Sequence, residues 1–267
     1  MLKQIASGVS ARAIVAICGF VQLPIIGASL GSERFATYLL LMAIPSAISF
    51  VEAGIGNSTM NHLLRHESRA DDISERETAW AGVFLAVLCS VVLLTIGLLF
   101  SEHIADLTGV TGSLIGESDF SVPELVQFAI LSSASSVVAA LGQRLLWGRQ
   151  KIFAANNILM LQSLAILSLV VLIPRLGVVT IQSYLLAHWI CMMCAGVASF
   201  IVARVPRSAL TAISMAHLWQ AIKFIALDSW RFSSISAMST LAYSLDLFIV
   251  ARIVGTEAVP AIALTWK

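Results

Sequence analysis

The sequence predicts an all-α polytopic membrane protein of about seven transmembrane helices plus the start of an eighth, built as a parallel repeat. Three observations carry this. The 267 residues are 58% apolar and only 12% charged, with mean hydropathy +0.92, whereas soluble domains are about 45–50% apolar and about 25% charged. The apolar runs reach the roughly 20 residues that cross a bilayer core. They lack the alternation of a membrane β-barrel, so helices that satisfy their own backbone amides are expected. Finally, the end of the chain repeats its start. Laying residues 246–267 over 22–43 puts Leu247 on Leu23, Ile249 on Ile25, Gly255 on Gly31, Glu257 on Glu33 and Leu264 on Leu40, with Val250 on Ile26 and Thr256 on Ser32 as conservative matches. An apolar run, a Gly-Ser/Thr-Glu turn and a second apolar run recur in one order, a helix-turn-helix signature of repeated span bundles.

In chain order the expected spans are 12–30, 35–56, 79–100, 126–146, 155–173, 178–203 and 232–254, with another opening near 258. Turn or charge signals separate them: Gly31-Ser32-Glu33-Arg34, the charged stretch 62–77, the acidic segment 101–124, Gly148-Arg149-Gln150-Lys151, Pro174-Arg175 and the basic segment 204–207. The fifth span is the least regular, interrupted by Asn156, Asn157 and Gln162. Residues 1–207 are expected to form a first six-helix transmembrane bundle. Residues 208–267 are expected to supply an interfacial segment and the truncated start of a second bundle.

Lys and Arg in the loops orient the chain. With a cytoplasmic amino terminus, the inner segments hold Lys3, Arg12, Arg65, Arg69, Arg76, Arg144, Arg149, Lys151, Arg204, Arg207, Lys223 and Arg231, against Arg34, Arg175 and Arg252 outside. The longest outer segment, 101–124, carries Glu102, Asp106, Glu117, Asp119 and Glu124 without a Lys or Arg. The first apolar stretch is longer than a cleaved signal peptide requires, so it reads as a retained signal anchor.

Enzymatic signatures are missing: no GxGxxG opens a helix, and there is neither a GxxxxGK(S/T) phosphate loop nor an HExxH zinc motif. No enzyme activity, cofactor or metal is expected. Net charge of +1 argues against a nucleic-acid partner. Cys18, Cys89, Cys191 and Cys194 all fall inside apolar spans, where small packing residues are the simplest reading even of the Cys191/Cys194 CxxC.

Ionisable groups at membrane depth are costly and so become functional candidates. Glu52, in Glu52-Ala53-Gly54-Ile55-Gly56 near the inner end of the second span, is either a helix-end carboxylate beside glycines that allow close packing or a cavity-lining, proton-linked acid. Asp246 lies mid-span and falls on Gln22 in the repeat, which points to a water-filled cleft between halves or, failing that, a hydrogen bond between helices. Arg12 and Arg144 lie about one turn inside the inner ends of their spans. They either snorkel to head groups or form an electropositive vestibule for phosphate or diphosphate, which Arg252 near the outer end of the seventh span would extend. His188 beside Trp189 is either a packed histidine or a titrating one. Gly27 and Gly31 make a GxxxG, and Pro24 and Pro45 can kink their helices. Residues 215–231 mix Leu218, Trp219, Ile222, Phe224 and Ile225 with His217, Gln220, Lys223 and Asp228, which fits an interfacial helix or an ordinary linker.

The stretch Gly31-Ser32-Glu33-Arg34-Phe35-Ala36-Thr37-Tyr38 after the first span and Glu52-Ala53-Gly54-Ile55-Gly56 after the second resemble the polysaccharide and O-antigen flippases of the MOP exporter superfamily. That family commonly reads Gly-x-Glu-x-Phe-Gly-x-Tyr and Asp-x-Gly-Leu-Gly there. Asp246 followed by Gly255-Thr256-Glu257 resembles the opening of the family's second half. Ala36 stands where Gly is usual, and Glu52 where Asp is frequent.

The resemblance implies a multi-pass bacterial inner-membrane transporter of MOP type, with two bundles that alternate between inward- and outward-open states. It would flip a polyprenyl-diphosphate-linked oligosaccharide from the cytoplasmic to the outer leaflet in lipopolysaccharide or related polysaccharide biosynthesis. Its implied partners are that lipid-linked oligosaccharide, membrane lipids, and the polysaccharide polymerase and glycosyltransferases of the same assembly. Arg12, Gln22, Arg144, Asp246 and Arg252 are the candidates for a substrate cavity, and Glu52 or Asp246 for ion coupling. The chain departs from the family in length: it holds one repeat and a fragment of the next, and the apolar run broken off at Lys267 reads as truncation unless two copies assemble. A multidrug or toxin extrusion antiporter of the same superfamily has the same topology. A non-transporting scaffold or a membrane glycosyl enzyme is the third class.

Overall fold

A computed structural model describes residues 2–66, 75–108, 120–204 and 214–265, and all regular structure among them is helical. The elements are α1 (Leu2–Leu30), α2 (Ser32–His66), α3 (Glu75–Leu99), α4 (Ser101–Thr108), α5 (Val122–Gly148), α6 (Ile152–Arg175), α7 (Ile181–Ala203), α8 (Met215–Ile253), a 3-10 turn (Thr256–Ala258) and α9 (Val259–Thr265). The expected boundary between bundles at 207–208, and parts of the charged stretches 62–77 and 101–124, lie outside the described residues.

Local chemistry accounts for the breaks. Gly31 turns α1 into α2 at φ +80, a backbone region that glycine enters without a Cβ penalty. The Ser121 N–H and hydroxyl both donate to the Glu124 carboxylate at 2.8 and 2.7 Å, which fixes the start of α5. Thr180 caps α7 by accepting the Ser183 N–H at 3.2 Å. Within the apolar helices, hydroxyls bond back one turn, as Thr59 does to the Ile55 carbonyl at 2.8 Å and Ser133 to the Ala129 carbonyl at 2.6 Å. Polar side chains thereby satisfy themselves without water.

Six helices among the described residues, from α1, α2, α3, α5, α6 and α7, are long and apolar enough to cross a membrane. The seventh expected span joins the expected interfacial segment 215–231 without interruption: α8 is one helix of 39 residues. Its first half lies on α2 and α3, with Ala221 and Ile225 buried alongside Leu63, Leu141, Leu145 and Leu146. An amphipathic surface helix would leave that face on lipid head groups, and here protein covers it.

The outer surface is apolar. Phe84, Val87, Leu88, Val91 and Ile96 of α3 are exposed, as expected of a helix facing hydrocarbon rather than water. Inside, small residues let helices cross closely. A Cβ on Gly142 of α5 would meet the Gly196 carbonyl of α7 at 3.0 Å, and one on Gly196 would meet the Ala139 Cβ at 2.6 Å. This α5–α7 crossing is the small-residue contact typical of membrane bundles, whereas Gly27 and Gly31 of the GxxxG face Phe35 and open space.

The repeat survives in three dimensions. Along α2 from Ser58 to Gly54 the neighbours on α8 advance from Ile225 to Ser229 and Ser233, so α8 is antiparallel to α2 and parallel to α1. Gly255 ends α8 at φ +111, as Gly31 ends α1 at positive φ. Ala251 and Val259 join the core around Leu40, Leu41 and Tyr184.

Candidate functional site

The Glu52-Ala53-Gly54-Ile55-Gly56 motif is mid-helix in α2, because α2 runs on to His66. Each of its polar or small positions has a separate neighbour. Glu52 Oε1 lies 3.7 Å from Arg144 Nη2 of α5, both side chains being about four-fifths buried. A Cβ on Gly56 would stand 2.6 Å from Arg144 Cγ, so the glycine opens the groove in which the arginine stem lies. The guanidinium rests over the Trp147 ring, 4.9 Å from its centroid, a cation–π contact one turn along the same helix. A Cβ on Gly54 would run into Ser233 Oγ and approach the Ser229 carbonyl to 2.9 Å, so α8 crosses α2 there in near-backbone contact.

Below this crossing α8 is latched to the first bundle. Ser58 donates to the Ile225 carbonyl at 3.1 Å, His62 Nε2 and Asp228 Oδ2 are 2.9 Å apart, and His217 Nδ1 lies 3.5 Å from Glu77 Oε1 of α3. Nearby, Arg149 pairs with Glu75 at 2.5 Å and donates to the Ala203 carbonyl, and Lys151 donates to the Val202 carbonyl at 2.9 Å. Several of the basic residues at this end therefore cap helices or close ion pairs.

Arg12 is placed differently. Exposed on α1, it lines a cleft of about 640 Å3 with Val9, Leu64, Trp147, Gln150 and Asn156, and neither Glu52 nor Arg144 reaches that wall. The two arginines expected to share a vestibule are thus divided: Arg144 sits on a carboxylate between α2 and α5, and Arg12 stands in a lateral cleft beside α1.

Arg252 is at the other end of the bundle. Its Nη1 donates to the Asp106 carbonyl of α4 at 3.3 Å, a cation satisfying a carbonyl in a last helical turn, so the structure does not join it to Arg12 or Arg144. Gln22 is buried on α1 beside Leu23 and Ile26, and Asp246 is half-buried on α8. Among the described residues α1 packs mainly on α6 and α8 on α2 and α3, so this repeat-related pair shares no extended interface. His188 Nδ1 donates to the Tyr184 carbonyl at 2.9 Å, because a carbonyl only accepts, and the Tyr38 hydroxyl is 3.5 Å from the same nitrogen.

His62, Glu77 and Trp147 are site residues that sequence reasoning passed over, while Asn156 and Asp228 stood out only as an interruption of the fifth span and as part of the segment 215–231. The spacing of Ser58 and His62 on one face of a prolonged α2 was the available signal.

Membrane-length helices packed with a parallel repeat, an interior acid–base pair and a glycine crossing between α2 and α8 define an all-α polytopic membrane bundle as the fold class. Comparison of folds agrees. A multidrug resistance MATE family transporter of the MOP superfamily, solved in an inward-facing conformation, matches with TM-score 0.75 at 18% identity over 97% of this chain and 60% of that one. A MOP superfamily transporter from Pyrococcus furiosus, reported with a binding pocket of reversed polarity, matches with TM-score 0.62 at 18% identity over 99% of this chain and 59% of that one. The chain therefore spans about 60% of the length of these solved transporters, and the likeness is one of fold. No protein-family profile and no curated protein matches the sequence.

Proposed function

We propose that the chain forms the first bundle, and the opening helix of the second, of an alternating-access membrane transporter that flips a polyprenyl-diphosphate-linked oligosaccharide. The carrying observation is the Glu52–Arg144 pair beside the Gly54–Ser233 crossing. There a guanidinium is held inside the bundle where a moving α8 would uncover it. A diphosphate offers two oxygens to the planar fork where Glu52 now contributes a single 3.7 Å contact. The anionic substrate thus takes Arg144 from Glu52, and Glu52 itself is dispensable once Arg144 holds the diphosphate. In this reading the protein is a multi-pass inner-membrane component with the basic end cytoplasmic, serving polysaccharide polymerase and glycosyltransferases of a surface-polysaccharide pathway.

A second reading rests on the same pair and on the fold shared with a multidrug resistance transporter. A cationic drug would take Glu52 from Arg144. The two readings make opposite demands. Introduced in full length into a flippase-deficient strain and a drug-sensitive strain, at matched membrane abundance, the flippase restores surface polysaccharide with Glu52→Gln and loses that ability with Arg144→Ala. Drug rescue lost with Glu52→Gln and kept with Arg144→Ala would overturn the flippase assignment.

A further inference from the structure

We propose that the cleft between α1 and the amino-terminal end of α6 seats the phosphate of an anionic glycerophospholipid from the leaflet at the basic end of the bundle. Four features meet there. Among the described residues the Arg12 guanidinium has no ion-pair or hydrogen-bond partner, and it is exposed on the cleft wall. The Asn156 side chain, only 9% exposed, lines the same cleft and likewise has no hydrogen-bond partner among the described residues. Gly8 lies against it, a Cβ there coming within ordinary contact, 3.5 Å, of Asn156 Nδ2. An acceptor brought into the cleft gives this amide a hydrogen bond. The third feature is α6 itself, which begins at Ile152 with no side-chain cap and no acid in its first turn. Its free N–H groups and positive dipole end open on the cleft.

The fourth feature identifies the anion as a lipid. Val9, Leu64 and Ile152 line the cleft and are exposed apolar side chains, as acyl chains require and a freely dissolved phosphate does not. A phosphodiester carries one negative charge against Arg12 and unprotonated oxygens for the Asn156 amide and the α6 amides. The seat borders the Glu52–Arg144 pair through Trp147, which lines the cleft and carries the Arg144 guanidinium on its ring, but it uses neither Glu52 nor Arg144 and does not depend on the transport reading.

Native mass spectrometry of the full chain in detergent tests this with dioleoylphosphatidylglycerol, dioleoylphosphatidylcholine and inorganic phosphate as probes. Phosphatidylglycerol is expected to bind about tenfold better than phosphatidylcholine, the ratio that one charge-assisted contact supplies, and inorganic phosphate in excess is expected not to displace it. Arg12→Gln and Asn156→Leu each remove the preference, Arg12→Lys keeps part of it, and Arg175→Gln, at the other end, leaves it whole. Val9→Trp, which fills the cleft from an exposed position without touching the core, blocks binding while the helical melting curve stays unchanged. Equal binding of the two lipids, or a preference untouched by Arg12→Gln and Val9→Trp, overturns the proposal. Displacement by inorganic phosphate overturns the lipid assignment in favour of a simple anion site.

Discussion

Glu52 of α2 and Arg144 of α5 face each other across 3.7 Å, with the guanidinium resting on Trp147 and its stem lying against Gly56. An acid and a base so far inside the helices are held as a pair because each alone would leave a charge in a poorly solvated place. A thermodynamic cycle measures this. Glu52→Gln and Arg144→Gln each lower thermal stability, and the double substitution costs less than their sum by about 1–2 kcal/mol. Thermal melts of the four proteins in one detergent give the coupling, and strict additivity would mean that the contact carries no energy.

Gly54 is where α8 comes closest to α2. Gly54→Ala drives a methyl into Ser233 Oγ and toward the Ser229 carbonyl. Removing the hydroxyl relieves only the first of these contacts, so Gly54→Ala lowers the melting temperature and Ser233→Gly restores part of the loss. Full restoration by Ser233→Gly would show that the backbone approach is looser than the geometry indicates.

The His62–Asp228 contact, at 2.9 Å, closes the lower end of the α2–α8 seam over Ser58, which is fully buried. In a Ser58→Cys protein, adding His62→Ala or Asp228→Asn raises the rate of labelling by a water-soluble maleimide by about tenfold, the effect of a contact worth about 1.4 kcal/mol. An unchanged rate would place the latch elsewhere, with the His217–Glu77 pair as the next position to test.

Gly31 and Gly255 hold equivalent positive-φ turns, and no atom lies within 4 Å of where a Cβ would be. Gly31→Ala and Gly255→Ala therefore act through backbone strain alone, at about 1–3 kcal/mol each. Gly255 has ψ 158, in a region nearly restricted to glycine, so its substitution falls in the upper half of that range. Equilibrium unfolding of the two variants checks both magnitudes.

Much of the architecture could be read directly from the chain. The break at Gly31, its echo at Gly255, and the apolar runs of α1, α3, α5, α6 and α7 each declare themselves within a few residues. The site was less legible. Ser58, Thr59 and His62 read as the end of a span, yet α2 continues through them, because their hydroxyl and imidazole groups bond to Ile55, Ile225 and Asp228. Two of those three partners lie on α8, and no local pattern announces them. Residue type groups Arg252 with Arg12 and Arg144 although its place is at the outer end of its span, and the bundle sets it there against the Asp106 carbonyl.

The sequence by itself determined that the chain is a set of apolar helices in a given order, joined by turns whose glycines and caps act locally, with a repeat in parallel orientation. Only the tertiary structure decided which side of each helix faces its neighbours: Glu52 toward Arg144, Gly54 toward Ser233, Asn156 into the cleft of Arg12. In water, the apolar face of a helix announces which side is buried. In a membrane, lipid and protein interior are about equally apolar, so hydropathy is silent on helix rotation. Close packing of small residues and the pairing of a few polar groups settle it instead.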